Sequence, residues 1–407
     1  MTTHQATVLL FDLALIVVVT RLFGSLATRF GQPAVIGEVA GGILLGPTLI
    51  GATLSETLFP TDVRPFLAAL ANLGVALFMF VVGLELDQGL VRGKLRVALS
   101  VSAGSMLLPL GLGMLLALYL FRHHPTGDRL GFILFMGAAM SVTAFPVLAR
   151  ILTDRGLHRG VIGGLALASA AIADVLAWSL LAVVVAMVSG AMQWQLVLTV
   201  PYLLVMFAFV RPVLRRLVGG ERTPARTRFA VVLVGLLLSG ALTEYFGLHF
   251  IFGAFLFGVV MPRGTLLRED ILGPVEQVSM TLLLPVYFVV AGLKVDLSGI
   301  DAIGILDLSL ILLVAVLSKF AGAFAGARLQ GVGARDAAVL GTLMNTRGLT
   351  ELVILTVGLQ LGVLDTTLYS LMVVMALVTT GMAGPMLHLI GRKPASDPEL
   401  DRATSVQ

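Results

Sequence analysis

From Gly163 to Gly190 the chain reads GGLALASAAIADVLAWSLLAVVVAMVSG, 28 residues with one ionisable group, Asp174. A helix needs about 20 apolar residues to cross the hydrocarbon core of a bilayer, so this stretch is long enough to span one. Similar runs recur from end to end. Of the 407 residues, 58% are hydrophobic and 12% charged, whereas soluble domains carry about 25% charged residues. Backbone exposed to lipid must satisfy its own hydrogen bonds, and apolar runs of this length do so as helices. The chain therefore reads as an all-α polytopic membrane protein.

The length rule places about 13 transmembrane helices, centred near residues 15, 42, 75, 108, 141, 175, 203, 236, 254, 284, 315, 347 and 377. Of the 27 Lys and Arg residues, 21 fall in odd-numbered loops or the C-terminal tail and 4 in even-numbered loops. By the positive-inside rule the odd loops are cytoplasmic, the N-terminus is outside and the C-terminus is inside. The same placement removes a nucleic-acid reading of the net charge of +4, because the basic residues separate apolar segments. Cysteine is absent, which excludes thiolate metal sites and disulfides. His123 and His124 fall in a polar loop without metal-ligand spacing, and no nucleophile–base set suggests an enzyme.

An internal repeat is visible. Gly31, Gly37 and Gly42 of segment two match Gly247, Gly253 and Gly258 of segment nine at a constant offset of 216. FVVGLELD, from Phe80 to Asp87, matches FVVAGLKVD, from Phe288 to Asp296, and AAMSVTAFPVLARIL aligns more weakly with GTLMNTRGLTELVIL. Segment n thus matches segment n+7, and an odd shift makes the second copy enter from the opposite face. The expected organisation is one inverted six-helix repeat over residues 1–190, a linker helix over 191–225, a second repeat over 226–394 and a short cytoplasmic tail over 395–407. Inverted repeats of this kind mark secondary transporters, whose sites lie near the midplane between the copies.

The polar residues inside the spans sharpen that expectation. A charge at bilayer depth costs at least ~2.5–3.5 kcal/mol on insertion scales, so Asp174 reads as an ion or proton site. Repeat partners five and twelve both carry interruptions. Segment five has Ser141, Thr143 and Pro146, and proline removes a donor and disfavours helix at Phe145. Segment twelve has Asn345-Thr346-Arg347-Gly348, then Glu351, which stands one turn on from Arg347 and can pair with it. Two broken crossing helices are predicted, with half-helix ends of about half an electronic charge and freed carbonyls able to face a cation. Lys319, deep in segment eleven, either snorkels to an interface or pairs with a buried acid or half-helix end. Asp12, Glu38 and Glu85 lie near segment ends and read as interfacial. Trp178 reads as packing and Trp194 as an interface anchor.

SVTAFPVLARIL, ADVLAWSLLAVVVAMVSG, GAFLFGVVMP, LPVYFVVAGLK and LMNTRGLTEL occur in this order. With them the chain, from about residue 7 to 392, resembles the monovalent cation:proton antiporter-2 family, and its plant cation/proton exchangers most of all. The resemblance implies a homodimer in which segments one to three and eight to ten form a dimerisation panel, and four to six and eleven to thirteen a mobile core. It implies ion binding at Asp174, a side-chain contact from Thr143 within the Ser141 to Pro146 crossing, a basic residue at Lys319, and Arg347, Gly348 and Glu351 in the second broken helix. One position departs: where electrogenic members carry a second acid before the aspartate, this chain has Ala173.

The expected ion and proton ligands are thus Asp174, Thr143, Ser141 and Asn345. Lys319, Arg347 and Glu351 are supporting charges, and Pro146 and Gly348 mark the breaks. The expected activity is electroneutral exchange of sodium or potassium for a proton, with no cofactor and no nucleic acid, in a bacterial inner membrane. A channel built from broken helices and an organic-anion symporter using Arg347 are the rival readings.

Overall fold

The computed structural model describes residues 2–85, 95–154, 157, 160–188, 198–218, 224–246, 249–262, 271–298 and 300–390. The expected boundaries at residues 190, 191 and 395–407, together with Asp87 and Trp194, lie outside them.

The described residues are helical, with no strand among them. The first half comprises α1 (Thr3–Arg29), α2 (Ala34–Leu44), the short α3 (Pro47–Ile50) and α4 (Ala52–Leu58), α5 (Arg64–Glu85), α6 (Leu95–Leu120), α7 (Arg129–Ser141), α8 (Phe145–Asp154) and α9 (Val161–Val188). A π-helical turn, Met206–Val210, joins α10 (Thr199–Val205) to α11 (Arg211–Leu217). The second half comprises α12 (Ala225–Tyr245), α13 (Phe250–Val260), α14 (Gly273–Val278), a π-helical turn (Ser279–Leu283), α15 (Leu284–Gly292), α16 (Ala302–Leu329), α17 (Ala334–Met344), α18 (Leu349–Gln360) and α19 (Thr366–Leu389). Eight described spans, counting the continuous Gly273–Gly292 run of α14, its π-helical turn and α15 as one, are long and apolar enough to cross a membrane unaided. Of the other expected centres, those at 42, 141, 203 and 254 fall on the shorter α2, α7, α10 and α13, and that at 347 falls between α17 and α18.

Local chemistry sets the helix ends. Asp128, Asp301 and Asp365 cap α7, α16 and α19 by accepting from the Gly131, Gly304 and Leu368 amides at 3.0, 2.8 and 2.7 Å, the role short acidic side chains take at N-termini. Gly31 ends α1 with φ near 69°, a left-handed conformation that glycine adopts without a Cβ penalty.

Two of the three glycine pairs of the internal repeat mark the same packing contact made twice; Gly247, of the third pair, lies outside the described residues. A Cβ on Gly37 would overlap the Phe23 carbonyl of α1, and one on its repeat partner Gly253 the Ser239 carbonyl of α12. Gly42 lies against the Phe288 carbonyl of α15, and Gly258 against the Phe80 carbonyl of α5. Each of these two matches therefore preserves a place where two backbones touch, the way membrane helices approach when small residues face each other. Repeat partners α6 and α16 cross at Gly104 and Gly322, each lying against the other's carbonyl.

The helices pack in two sets. One comprises α1, α2, α5 and α12–α15; the other comprises α6–α9 and α16–α19. Their apolar faces meet along α2, α13 and α15 on one side and α9, α18 and α19 on the other, with Trp178 edge-on to Phe252 at 6.0 Å between centroids.

One sequence expectation needs correction. Asp12 is not interfacial but 3% exposed, turned inward from a helix whose other face shows Leu10, Phe11, Val18 and Leu22. A position near a helix end says nothing about which way a side chain points. His124 lies in the polar loop between α6 and α7, as expected, but is turned inward. It is 6% exposed, with Nδ1 2.6 Å from Asp365 and Nε2 3.4 Å from the buried Asp307. Neighbouring His123 lies 3.3 Å from the same Asp307 oxygen. The loop is thereby tied to the starts of α16 and α19.

Burial pushes the His124 imidazole down, but the Asp365 hydrogen bond and the two carboxylate charges outweigh it and hold the ring above its ordinary value. A group raised in this way stabilises the fold fully below its unfolded value, and that stabilisation is lost as pH rises through the folded one. His124→Gln is therefore expected to lower thermal stability in detergent clearly at pH 6 and much less at pH 9, read from melting curves at both.

Candidate functional site

The two interrupted helices meet in the second set. Residues 142–144 separate α7 from α8, and residues 345–348 separate α17 from α18. Pro146 stands in the first turn of α8, not in the gap. Its missing N–H is harmless there, because first-turn amides have no partner inside the helix, and the chain unwinds just upstream. The gaps bond to each other: the Ala144 amide donates to the Thr346 carbonyl at 3.1 Å, and the Thr143 hydroxyl to the Met344 carbonyl at 3.3 Å.

Ending α7 inside the protein leaves carbonyls without helical partners, and two cations take them. Arg347 Nη1 donates to the Ala139 carbonyl at 3.1 Å and Nη2 to the Met140 carbonyl at 2.8 Å. Nη1 also reaches Glu351 Oε2 at 2.8 Å. Lys319 Nζ donates to the Ser141 carbonyl, to Thr143 Oγ1 at 2.7 Å and to the Ser105 carbonyl of α6 at 3.2 Å. Both cations and Glu351 are 0% exposed, so Lys319 does not snorkel. Cations are favoured at a helix C-terminus by its partial negative charge. Thr380 of α19 clamps the second gap, accepting from the Arg347 amide at 2.9 Å and donating to the Arg347 carbonyl at 2.7 Å.

Asp174 comes from α9, which packs against α8 and α17. It is 1% exposed, and both carboxylate oxygens are buried without a hydrogen-bond partner. The Phe145 backbone amide and the Lys319 ammonium lie close enough to act on its charge, so the carboxylate faces the positive, N-terminal end of α8. Asn345 is buried with Oδ1 equally unpartnered. The Ser141 hydroxyl is turned back to the Ala138 carbonyl at 2.7 Å.

The sequence-derived site residues divide accordingly. Ser141, Thr143, Lys319, Arg347 and Glu351 form one bonded group at the crossing, while Asp174 and Asn345 present free oxygens. Of the four buried charges among these site residues, three are answered where they stand: Lys319 by carbonyls of α6 and the end of α7 and by a hydroxyl, and Arg347 and Glu351 by each other. Asp174 alone has no such partner.

Sequence reasoning missed Ser105 and Thr380. A row of Ser100, Ser102 and Ser105 in an apolar helix was visible, but serine in such a helix ordinarily bonds its own preceding turn, as the Ser105 hydroxyl does to Ser102. The Lys319 acceptor is the Ser105 backbone, which carries no side-chain signature.

Arg347 and Glu351 make a test of this frame. Removing one partner of a buried ion pair costs about 3–5 kcal/mol, because the other charge is left uncompensated. Glu351→Ala is expected to lower the melting temperature of the purified protein more than the double change Arg347→Met with Glu351→Met, measured side by side.

The residues from 14 to 393 match the family model described as sodium/hydrogen exchanger, transmembrane. The Na+/H+ antiporter NhaS4 of Synechocystis sp. is 37% identical over 97% of this chain and 100% of its own length. Cation/H+ antiporter 15 of Arabidopsis thaliana is 37% identical over 93% of this chain, which spans 47% of that relative. Among solved structures, the sodium proton antiporter MjNhaP1 from Methanocaldococcus jannaschii superimposes with a TM-score of 0.64 at 14% identity, covering 95% of this chain and 100% of that one.

Proposed function

The chain belongs to the sodium/hydrogen exchanger family, and from that premise we propose that it exchanges sodium or potassium for a proton at Asp174. It is an integral membrane protein and a secondary antiporter, not an enzyme. The observation that carries the site assignment is the pair of unpartnered Asp174 oxygens, buried and facing a half-helix N-terminus.

Burial disfavours a bare carboxylate. Either a proton or a monovalent cation relieves it, and each excludes the other, so competition for one group is enough for antiport. The free Asn345 oxygen supplies a second neutral ligand of the kind a sodium or potassium ion takes. Thr143 is engaged by Lys319, so its hydroxyl serves the cation only when the lysine releases it. Arg347 is held by two carbonyls and Glu351, which argues against its binding an organic anion.

Charge arithmetic fixes the expected stoichiometry. With Lys319, Arg347 and Glu351 constant, the proton-loaded and cation-loaded cores carry the same net charge, so exchange is one for one and electroneutral. The empty core carries an unanswered carboxylate, which is penalised in a low-dielectric boundary, and slippage is thereby suppressed. The second helix set moves against the first to change access. The first set also serves as the surface for a homodimer, supported by the exposed apolar face of α1. The lopsided basic loops support a cytoplasmic C-terminus in a bacterial inner membrane. No cofactor is needed.

Proteoliposomes with an internal pH dye, challenged with sodium, potassium, lithium or rubidium, test this reading. Asp174→Asn is expected to reduce cation-driven proton movement to the level of empty liposomes while the protein remains folded and monodisperse. Normal exchange in that variant sinks the assignment. In the parent protein, clamping the membrane potential is expected to leave the rate unchanged, whereas a potential generated by transport refutes one-for-one exchange and points to Lys319 as a second titrating group.

A further inference from the structure

The boundary between the two helix sets is built differently in its two halves. In the half that holds the end of α15, the end of α18 and the start of α19, polar groups join the sets directly. The Tyr287 hydroxyl of α15 lies 3.2 Å from Thr356 Oγ1 of α18. The Tyr369 hydroxyl of α19 donates to the Ala291 carbonyl of α15 at 3.0 Å. The Asp296 amide, just beyond α15, donates to Ser370 Oγ of α19 at 2.9 Å. On the same side, His249 at the start of α13 interacts with Gln360 at the end of α18, and Trp178 of α9 abuts Phe252 of α13.

The opposite half is loose. A small cavity separates Val35, Ile36 and Val39 at the start of α2 from Gly348, Ala376 and Thr380. Gln32 Oε1 lies close to Gly381 there, buried without a hydrogen-bond partner.

We propose that Tyr287–Thr356, Tyr369–Ala291 and Ser370–Asp296 form a latch that closes the outer face, and that the less filled cytoplasmic half is the side that parts first from this structure, in which Asp174 is occluded. The inference deepens the exchange reading, on which it rests for the purpose of the opening and for the naming of the faces. Two of the bonds are neighbours: Tyr369 lies near Thr356, so both tyrosines, one from each helix set, stand beside the same threonine. A gate of neutral hydroxyls suits a carrier. Each bond is weak enough to break in every cycle, and none leaves a buried charge behind when it opens. Loss of one such bond shifts an equilibrium by about fivefold.

The chain has no cysteine, so one introduced thiol reports access without background. Ala376→Cys places it in the cavity wall. A membrane-impermeant thiol reagent is applied to intact cells for the outer face and to inverted vesicles for the inner face. The parent reporter is expected to label from the inner face and only slowly from the outer. Tyr287→Phe combined with Tyr369→Phe is expected to raise outer-face labelling at least about fivefold and to slow inner-face labelling. Thr356→Ser keeps the hydroxyl and is expected to label like the parent, which separates the hydrogen bonds from simple packing. Outer labelling that is unchanged in the double variant, already fast in the parent, or absent from both faces in every chain overturns the latch. The same labelling repeated with Asp174→Asn needs no transport: a shift that persists there upholds the latch even if the exchange reading fails, and a failed shift alongside normal exchange sinks the latch alone.

Discussion

A helix that stops inside a membrane exposes carbonyls at one end and amides at the other, with no water to satisfy them. Two such interruptions cross in this protein, and much of its buried polar chemistry follows from meeting that demand. Lys319 and Arg347 close the carbonyl end of α7. The two gaps satisfy part of each other through Ala144 and Thr346. At the start of α8, the Phe145 amide faces a carboxylate. A cation at the negative end and an anion at the positive end is the arrangement that helix dipoles favour, and it places Asp174 beside the crossing.

The same arrangement separates fixed charges from a free one. Glu351 and Arg347 hold each other within a single turn of α18 and its approach, and Lys319 is anchored on three oxygens contributed by α6, the end of α7 and the first gap. These contacts lie within one helix set, so they travel with it. Asp174 keeps both oxygens uncommitted. In the exchange proposed above, a ligand that satisfies them changes the energy of the whole set facing an apolar boundary, so a small ion governs a large movement.

The glycine-to-backbone contacts give that movement its frame. Gly42 against α15 and Gly258 against α5 lock the first set as a repeat-related pair of contacts, while Gly104 against Gly322 locks the second. Side chains at these points would drive the backbones apart. The boundary between the sets is sealed instead by hydroxyls and aromatic edges on one side and is incompletely filled on the other. Tight contacts inside each set and separable ones between them are what a two-body carrier requires.

Much of this was written in the residue order. The apolar lengths set the class of fold, Pro146 and the Asn345-to-Gly348 run located the breaks to within a few residues, and a lone carboxylate in 28 apolar residues announced itself. These are local properties: helix propensity, span length and the cost of a charge act on neighbouring residues. The inward turn of Asp12, the tethering of His124 to Asp307 and Asp365, and the reach of Lys319 to Ser105, 214 positions away in the chain, were decided only by tertiary packing. Their partners are backbone carbonyls or distant acids brought close by the crossing of α6 and α16, and backbone atoms are the same in every residue. The chain by itself could declare that a buried carboxylate must be answered; three-dimensional packing decided that Lys319 and Arg347 would be spent on carbonyls, leaving the Asp174 oxygens without a hydrogen-bond partner.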